Sequence, residues 1–342
     1  MIIRINPTEA HRISMRILEV RMGAPHHIAE ATTSALIYAS LRGVESHGIG
    51  LLSGYVDQWK KGRIMPDAEP RKLKETKTTI LLDAQQTLGH YASLRAADNA
   101  VEKARNTGVG TAVIRNSNHN GAIGFYANRI AEKKMLGIVA SACAPHVAPH
   151  GGTKGIHGTN PISYAIPRKT GNSIVFDFAT GYSAAKTRKI ANTTGHLPKG
   201  FMVNKDGRPT TDPKDIETGW ILPTAGSIGY GLGILVDALT AGLADSSIGQ
   251  EVPLVSNVKD PYCGTFSAIA LSPDAFGGWE GFSSRIETLV DQIRNTPPQD
   301  PNHPVRLPGE RGWEEQLNRI DKGIPVEEEE LKNLRQLAFL DS

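Results

Sequence analysis

Asn116-Ser117-Asn118-His119-Asn120-Gly121-Ala122 is the stretch of this sequence on which the interpretation of the fold depends. It follows a short apolar run, Val109–Ile114, and precedes apolar residues at helical spacing from Ile123 to Ile130. This order predicts a strand, a turn and a helix, and a helix that begins after small and polar residues leaves backbone N–H groups free. Such amides beside one imidazole suit an anionic group such as a phosphate. The alternative is a surface turn whose Asn and Ser side chains cap the next helix.

Composition restricts the class of protein. A chain of 342 residues can bury a substantial core and is expected to form two lobes. A formal net charge of +3, without Lys/Arg clusters that alternate with aromatic residues, predicts no nucleic-acid partner. No apolar run approaches the length of about 18 residues that a membrane helix needs, and Met1 does not begin a signal-peptide pattern. We therefore expect a cytoplasmic protein without membrane contact.

Helices are predicted at both ends of the chain, around a region of mixed strands and helices. A helix is expected after Asn6-Pro7, which supplies a cap and a first-turn proline, and a second from about His26 to Leu41. No strand is expected in the first 62 residues. The predicted strands are Thr78–Leu82, Val109–Ile114, Gly137–Ser141, Ile174–Phe178 and Phe266–Leu271. The later helices are Ala92–Arg105, Ile123–Lys134, Leu232–Leu243, Ser284–Arg294, Glu310–Lys322 and Val326–Leu340.

This order predicts an α/β fold with a mixed sheet and a helical lobe formed from both chain ends. We expect residues 1–70 and 280–342 to form the helical lobe and residues 71–279 to form the α/β core. A Rossmann domain would carry G-x-G-x-x-G directly after a strand. Gly229-Tyr230-Gly231-Leu232-Gly233 has no strand in front of it, so its glycines are better explained by close helix packing or a tight entry. A non-Rossmann fold is predicted.

Several short motifs accompany the His119 turn, and together they resemble the malate/L-lactate dehydrogenase family, whose members lack a Rossmann fold. The resemblance runs from about Ala10 to Asp321. Its blocks are Glu45–Gly48, Ser117–Ala122, Val147–Asn160, Asp177–Thr180, Pro209–Pro213, Gly229–Leu232 and Leu307–Glu310. Members act on lactate, malate, sulfolactate, ureidoglycolate, diketogulonate or cyclic imino acids.

The resemblance implies an NAD(P)-dependent dehydrogenase or reductase with a small-molecule substrate. The enzyme would reduce a 2-oxo acid or a cyclic imino acid, or oxidise the 2-hydroxy acid. It would be a homodimer with its active site at the junction of lobes and subunits. The alternative is a divergent member without redox activity, which binds a small metabolite or cofactor or performs non-redox acid/base chemistry.

His47 is the expected acid/base residue. Delivery of a hydride to carbon requires a proton at oxygen or nitrogen, and an imidazole has a suitable pKa. Ser46 would orient the ring. The simpler interpretation of Ser46-His47 is a capped helix start with a solvent-facing imidazole. Thr159 matches a position that resembles a substrate hydroxyl donor in relatives, and it could equally be an ordinary turn threonine.

The resemblance also implies a cofactor site built from three segments. They comprise His119, Asn120, Gly121 and Ala122, then Asp177, Phe178, Ala179 and Thr180, and finally Gly309 and Glu310 near the C-terminus. A carboxylate at a strand end, here Asp177, would accept hydrogen bonds from ribose hydroxyls and repel a 2′-phosphate. NAD is therefore the expected cofactor, with NADP possible.

Three positions depart from the family pattern. Leu51 stands where an arginine often holds the substrate carboxylate, so we expect a ligand that is more apolar near this residue. Thr187 and Ile228 stand where an acidic residue or lysine and a lysine, respectively, are common. Lys186, Arg188 and Lys189 could supply a displaced positive charge, although a solvated basic edge explains them more simply.

A zinc site is a competing interpretation of the histidines. His146 and His150 have i, i+4 spacing, but Pro149 between them argues against a helical pair of ligands. We therefore predict no metal. Cys143 and Cys263 are far apart in sequence and are expected to be buried thiols rather than a disulfide.

Overall fold

Helices and strands alternate along most of the chain. The computed structural model describes residues 1–253 and 260–339. The α-helices are α1 (Pro7–Arg16), α2 (His26–Leu41), α3 (Leu51–Lys60), α4 (Gly89–Thr107), α5 (Gly124–Ala131), α6 (Ala184–Thr194), α7 (Ser227–Asp237), α8 (Trp279–Arg294), α9 (Glu310–Lys322) and α10 (Glu328–Leu337). The strands are β1 (Ile2–Ile5), β2 (Arg71–Glu75), β3 (Thr79–Asp83), β4 (Val109–Ser117), β5 (Leu136–Ala142), β6 (Pro161–Ile166), β7 (Ile174–Ala179), β8 (Met202–Val203), β9 (Trp220–Ile221), β10 (Gly264–Leu271) and β11 (Ile324–Glu327).

The central sheet contains seven strands in the order β2-β3-β4-β10-β5-β6-β7. β3 and β4 are parallel, and the other neighbouring pairs are antiparallel. A doubly wound dinucleotide-binding domain is built on a mainly parallel sheet. The predicted α/β fold with a mixed, non-Rossmann sheet is therefore confirmed.

Helix α4 connects the two parallel strands and packs closely on the sheet. Its buried face is rich in alanine, and opposite it a Cβ on Gly110 of β4 would lie 2.0 Å from the carbonyl oxygen of Ala100. Small residues on both surfaces let the helix backbone approach the strand. This packing places the first turn of α4, with Gly89 and His90, beside the turn that follows β4.

The two chain ends meet in a two-stranded sheet that the sequence did not indicate. β1 pairs antiparallel with β11, from Ile2 opposite Glu327 to Ile5 opposite Ile324. The expectation that the first 62 residues contain no strand was wrong, and α10 begins at Glu328, two residues after the predicted start. Four-residue strands carry little periodic signal, and their pairing depends on a partner more than 300 residues away. Leu340, the predicted helix end, lies outside the described residues.

Two clusters of buried apolar side chains form the main cores. The first combines residues between Ile5 and Tyr91 with residues between Ile324 and Ala338, so it draws on both chain ends as predicted. The second lies between the central sheet and helices α4 and α5. Val290 of α8 packs in a smaller cluster with Ile174 of β7 and with Leu307. The predicted lobe and core also include residues 254–259 and 340–342, which lie outside the described part of the chain.

Helix α7 presents a partly uncovered apolar face. Ile228, Ile234 and Leu235 are exposed, with Ile228 at 66% of its maximal accessible surface. Gly229 faces inward, where a Cβ would lie 2.4 Å from the carbonyl oxygen of Thr180. Gly229 thus serves close packing, whereas a Cβ on Gly231 would meet nothing within 4 Å. Within the described residues, no helix is long and apolar enough to cross a membrane.

Candidate functional site

The imidazole of His47 stands on a short 3₁₀ turn, Glu45–His47, between α2 and α3. Ser46 Oγ lies 2.9 Å from its Nδ1, within hydrogen-bond distance. The ring is half-buried, and this burial lowers the pKa of His47 below its ordinary value. His47 is therefore neutral at pH 7, and the contact with Ser46 leaves Nε2 as the nitrogen that can face a substrate.

A second imidazole stacks on the first. The ring centroids of His47 and His119 lie 5.4 Å apart with an interplanar angle of 28°. His119 Nδ1 is 2.8 Å from the hydroxyl of Tyr55 on α3. Burial, and to a smaller degree the neighbouring His47, lower the pKa of His119 to about 3. This ring is neutral throughout the physiological range and can bind only as an uncharged hydrogen-bonding or stacking group.

A third imidazole, His90 at the start of α4, completes the group. Its centroid lies 6.4 Å from that of His119. Neither ring nitrogen has a hydrogen-bond partner within the described residues, and burial lowers the pKa of His90 well below its ordinary value. A Cβ on Gly121 would lie 2.4 Å from His90 Nε2, and Gly121 has a φ of +68°. Both the conformation and the contact require glycine at this position of the turn.

A cavity of about 260 Å³ opens beside two of these rings, His90 and His119, and His47 is not among the described residues that line it. One face of α3 lines it with Leu51, Tyr55 and Gln58, at the spacing that places side chains on one side of a helix. His90 and His119 lie on its wall. Most of the surface is apolar, with a few polar groups on the wall, which is typical of a small-molecule site.

Buried asparagine side chains hold the His119 turn rigid. Asn118 Nδ2 donates to three backbone carbonyls, those of Arg63, Gln86 and Thr87. The side chain of Asn120 also lies in the interior. Its hydrogen-bond partners are Ser93, Ser117 and Ser141. Asn120 can therefore contact a ligand only through its backbone.

Asp177 of β7 lies beside the first turn of α5. Its Oδ2 accepts a hydrogen bond from the backbone N–H of Gly124 at 2.8 Å. The side chain of Asp177 is exposed to solvent on one side. Burial by the surrounding protein nevertheless raises its pKa to about 6, although that hydrogen bond and Arg42 act to lower it. From this combination we infer that Asp177 lies in a crevice. In the described part of the chain no acceptor binds the amides of Gly121 and Ala122.

The C-terminal segment joins the same crevice. Val175 N donates to the carbonyl of Pro308 at 3.3 Å, and a Cβ on Gly309 would lie 2.7 Å from the carbonyl oxygen of Val175. Gly309 has a φ of +88°, which favours glycine. The carboxylate of Glu310 accepts from Leu307 N and from Arg294, so its side chain stabilises the loop itself. The structure thus brings together the three segments that the sequence grouped.

Thr159 lies elsewhere. Its carbonyl accepts from Thr180 N at 2.9 Å, which links the Gly158–Pro161 turn to the end of β7. Thr180 Oγ1 donates to the carbonyl of Asn160, whose φ is +33°. Thr159 is not among the described residues that line the cavity beside His119. The structure therefore connects Thr159 to the Asp177–Thr180 segment rather than to the imidazoles.

The three departures from the family pattern lie in different surroundings. Leu51 lines the cavity. Thr187 is fully buried in α6, and its hydroxyl has no partner within the described residues. Ile228 is on the exposed face of α7. Of the cations in α6, Arg188 pairs with Glu217 at 2.8 Å, and Lys186 is exposed.

A buried arginine ties the His47 turn to the C-terminal helices. Arg319 of α9 donates to the carbonyl of Ser40 at 2.7 Å and pairs with Glu45 and Glu315. The ion pair lowers the pKa of Glu45, although burial acts in the opposite direction. Lys189 lines a second cavity, of about 310 Å³, beside Arg319 and Glu45. The turn that carries His47 is thus held by α9.

Sequence reasoning missed His90, Tyr55 and Arg63. Only one signal was present in the chain, the Gly89-His90 pair. A Cβ on Gly89 would lie 2.3 Å from the carbonyl oxygens of Asn118 and His119, so this glycine marks where α4 meets the turn. Tyr55 and Arg63 carry no motif. Tyr55 is identified by its ring contacts with His90 and His119, and Arg63 by its place in the cavity wall.

Comparison with known proteins gives one consistent result. The profile of the family described as Malate/L-lactate dehydrogenase matches residues 5–335. The L-sulfolactate dehydrogenase of Methanocaldococcus jannaschii is 32% identical over 98% of this chain and 96% of its own length. The Delta(1)-pyrroline-2-carboxylate/Delta(1)-piperideine-2-carboxylate reductase of Pseudomonas putida is 31% identical over 98% and 97%. The solved structure of the M. jannaschii sulfolactate dehydrogenase superposes with a TM-score of 0.92 at 30% identity, covering 99% of this chain and 98% of that one.

Proposed function

This chain belongs to the malate/L-lactate dehydrogenase family and is an NAD(P)-dependent oxidoreductase, and we propose that it reduces a 2-oxo acid or a cyclic imino acid, or oxidises the corresponding 2-hydroxy acid. The family match over nearly the whole chain supports the redox class. The observation that supports a carbonyl or imine substrate is the oriented imidazole of His47, which stacks on His119 at the wall of a mainly apolar cavity.

His47 is the proposed proton carrier. Its lowered pKa keeps the ring neutral at pH 7, which suits the base that removes the hydroxyl proton during oxidation. In reduction, a bound anionic substrate stabilises the protonated ring, which then donates to the developing alkoxide or amine. Ser46 holds the ring through Nδ1. Nicotinamide, when bound, supplies the hydride.

The crevice around Asp177 is the proposed cofactor site. Amides at Gly121 and Ala122 suit a pyrophosphate. The carboxylate of Asp177 suits the adenosine ribose, which favours NAD over NADP. Two further segments form the adjoining walls of this proposed site. One comprises Phe178, Ala179 and Thr180, and the other is the loop at Gly309 and Glu310.

A homodimer is the proposed assembly, with the exposed face of α7 as the contact. Ser227–Val236 contains no charged residue, yet Ile228, Ile234 and Leu235 are exposed. A stripe of this kind is typical of a surface that another chain covers. We also place the protein in the cytoplasm, because Cys143 and Cys263 are free thiols, as a reducing compartment would keep them.

The test is nucleotide binding followed by turnover. Calorimetry with NADH and with NADPH should show binding with a preference for NADH, and a panel of 2-oxo acids and cyclic imino acids should then be screened by NADH absorbance. Binding of neither nucleotide at millimolar concentration would contradict the proposal. Nucleotide binding without turnover of any acid would favour the non-redox alternative, which the absence of a carboxylate at Thr187 supports. A preference for NADPH would show that Asp177 does not face the ribose.

A further inference from the structure

The second cavity, of about 310 Å³, lies beside the turn that carries His47. Glu45 and Gly50, which stand on either side of His47 in the sequence, line it. Ile2 of β1 and Pro325 of β11 line it as well, so the cavity forms where the paired chain ends meet this turn. Within the described part of the chain it shares no lining residue with the cavity of about 260 Å³. The two cavities are therefore separate sites.

Two side chains of opposite charge line this cavity without an ion-pair partner. They are Lys189 of α6 and Glu330 of α10. Within the described residues, the ammonium group of Lys189 makes no hydrogen bond or ion pair, apart from a longer-range attraction to Glu45. The carboxylate of Glu330 also has neither kind of partner there. The other charged groups on the wall are paired, Glu45 with Arg319 and Glu327 with the amino group of Met1.

Glu330 is held at the wall by close packing. A Cβ on Gly50 would overlap Glu330 Oε1, so the carboxylate rests against the backbone at the start of α3. Burial, and to a smaller degree the like charge of Glu327, raise the pKa of Glu330 above its ordinary value. Both effects disfavour the charged carboxylate, and a neighbouring cation would offset them. An ammonium group bound in the cavity is such a cation.

We propose that this cavity binds an α-amino acid, whose ammonium group contacts Glu330 and whose carboxylate contacts Lys189. An α-amino acid is a zwitterion, so it carries both complementary charges in one small molecule. A ligand with a single charge would leave one of the two wall residues without a partner. Ile2 and Pro325 offer apolar contact to a small aliphatic side chain. The proposal is independent of the redox assignment, because it concerns a different cavity.

L-Valine is the probe, with isobutylamine and 3-methylbutanoate as matched ligands that lack its carboxylate and its ammonium group, respectively. Calorimetry without nucleotide should show binding of L-valine, and each matched ligand should bind about 10-fold more weakly or worse. Lys189→Gln and Glu330→Gln should each raise the Kd of L-valine about 10- to 100-fold, the loss expected for one charged hydrogen bond. In Glu330→Gln the preference for L-valine over 3-methylbutanoate should disappear, which a merely structural role of Glu330 would not cause.

Lys186→Gln on α6 and Glu329→Gln on α10 are the matched controls, because both residues are exposed and neither is among the described residues that line the cavity. Neither change should alter the Kd of L-valine. If Glu330→Gln fails to fold, judged by circular dichroism, Lys189→Gln decides the question, because its side chain is exposed. The proposal is overturned if L-valine does not bind the wild type at millimolar concentration. Equal wild-type affinity for L-valine and 3-methylbutanoate, or an unchanged Kd in either variant, overturns it as well.

Discussion

At the scale of single residues, the stacked rings of His47 and His119 carry different tasks. Both rings are half-buried, but His47 is oriented by Ser46, whereas His119 contacts the hydroxyl of Tyr55 and has a pKa of about 3. A group with so low a pKa is a poor proton donor near neutral pH, so proton transfer falls to His47. His119, which follows β4, is the candidate for contact with the nucleotide.

His47→Ala should lower kcat by about 100-fold or more and leave NADH affinity nearly unchanged, as expected for loss of a general acid/base. His119→Ala should instead weaken NADH binding first. Steady-state kinetics and calorimetry measure the two effects separately. His303→Ala, at a histidine whose side chain is 81% exposed, is the control and should change neither quantity. Equal effects of both changes on both quantities would contradict this division of tasks.

The three imidazoles also make the stability of the fold depend on pH. Burial lowers the pKa of His47, His90 and His119, so the unfolded chain binds more protons than the folded chain below the ordinary histidine pKa of about 6.5. The contribution of these imidazoles to the free energy of unfolding is complete above this pH. It is lost as the pH falls toward their lowered pKa values. Asp177, whose pKa is raised to about 6, acts in the opposite direction between about pH 4 and 6.

His90→Leu should therefore reduce the pH dependence of the free energy of unfolding. Between pH 6.5 and 5 the slope should fall by about 1 kcal/mol per pH unit, and it approaches about 1.4 at the lower end, the limit for one imidazole that stays neutral in the folded state. Urea denaturation at a series of pH values measures the slope. His303→Leu should leave it unchanged, and an unaltered slope in His90→Leu would show that this ring accepts a proton in the folded protein.

At the scale of elements, the contact between α4 and β4 determines where the turn at His119 lies. Gly110→Ala would place a methyl group 2.0 Å from the carbonyl of Ala100, so either the helix or the strand must move. We expect a loss of about 1–3 kcal/mol or more in the free energy of unfolding. Gly281→Ala in α8, where nothing lies within 4 Å of the new Cβ, is the matched control and should be neutral or stabilising. Equal melting temperatures for the two variants would contradict this account.

Elements with strong local signals could be predicted from the sequence. α2 and α9 begin and end at the predicted residues, because their apolar spacing and their flanking Gly or Pro residues are local features. β1 and β11 could not be predicted, because each is four residues long and gains its hydrogen bonds from the other. The segments of the candidate site that could be predicted are those that carry sequence motifs. His90 and Arg63 belong to no such motif, so only their contacts in the folded structure identify them.

At the scale of the whole molecule, the two main cores support the proposed division into lobes. One core joins both chain ends, and the other fills the space between the sheet and its helices. Leu88 and Tyr91, from the start of α4, belong to the first core, whereas Ala92 and Ala96 belong to the second. We propose that α4 is the rigid connection between the lobes and that the His119 cavity forms at this connection.

The apolar face of α7 gives a prediction about assembly. Ile234→Asp should convert a homodimer into a monomer, because a carboxylate in an apolar contact cannot be hydrated. Light scattering after size-exclusion chromatography measures the mass. Leu317→Asp on α9, at a residue that is 70% exposed, is the control and should leave the mass unchanged. If the wild-type protein elutes as a monomer, the prediction that α7 forms a dimer contact is wrong.

The pairing of β1 with β11 has a consequence for the order in which the protein can be made. Ribosomes add about 5–20 residues per second, so Ile2 waits some 15–65 s for Glu327, its partner in the ladder. Arg319, which holds the turn with His47, emerges equally late. During that interval the nascent chain exposes the apolar helices of its first core and carries an unsupported His47. Catalytic competence therefore cannot precede the synthesis of Arg319 and β11, long after His47 itself has been made.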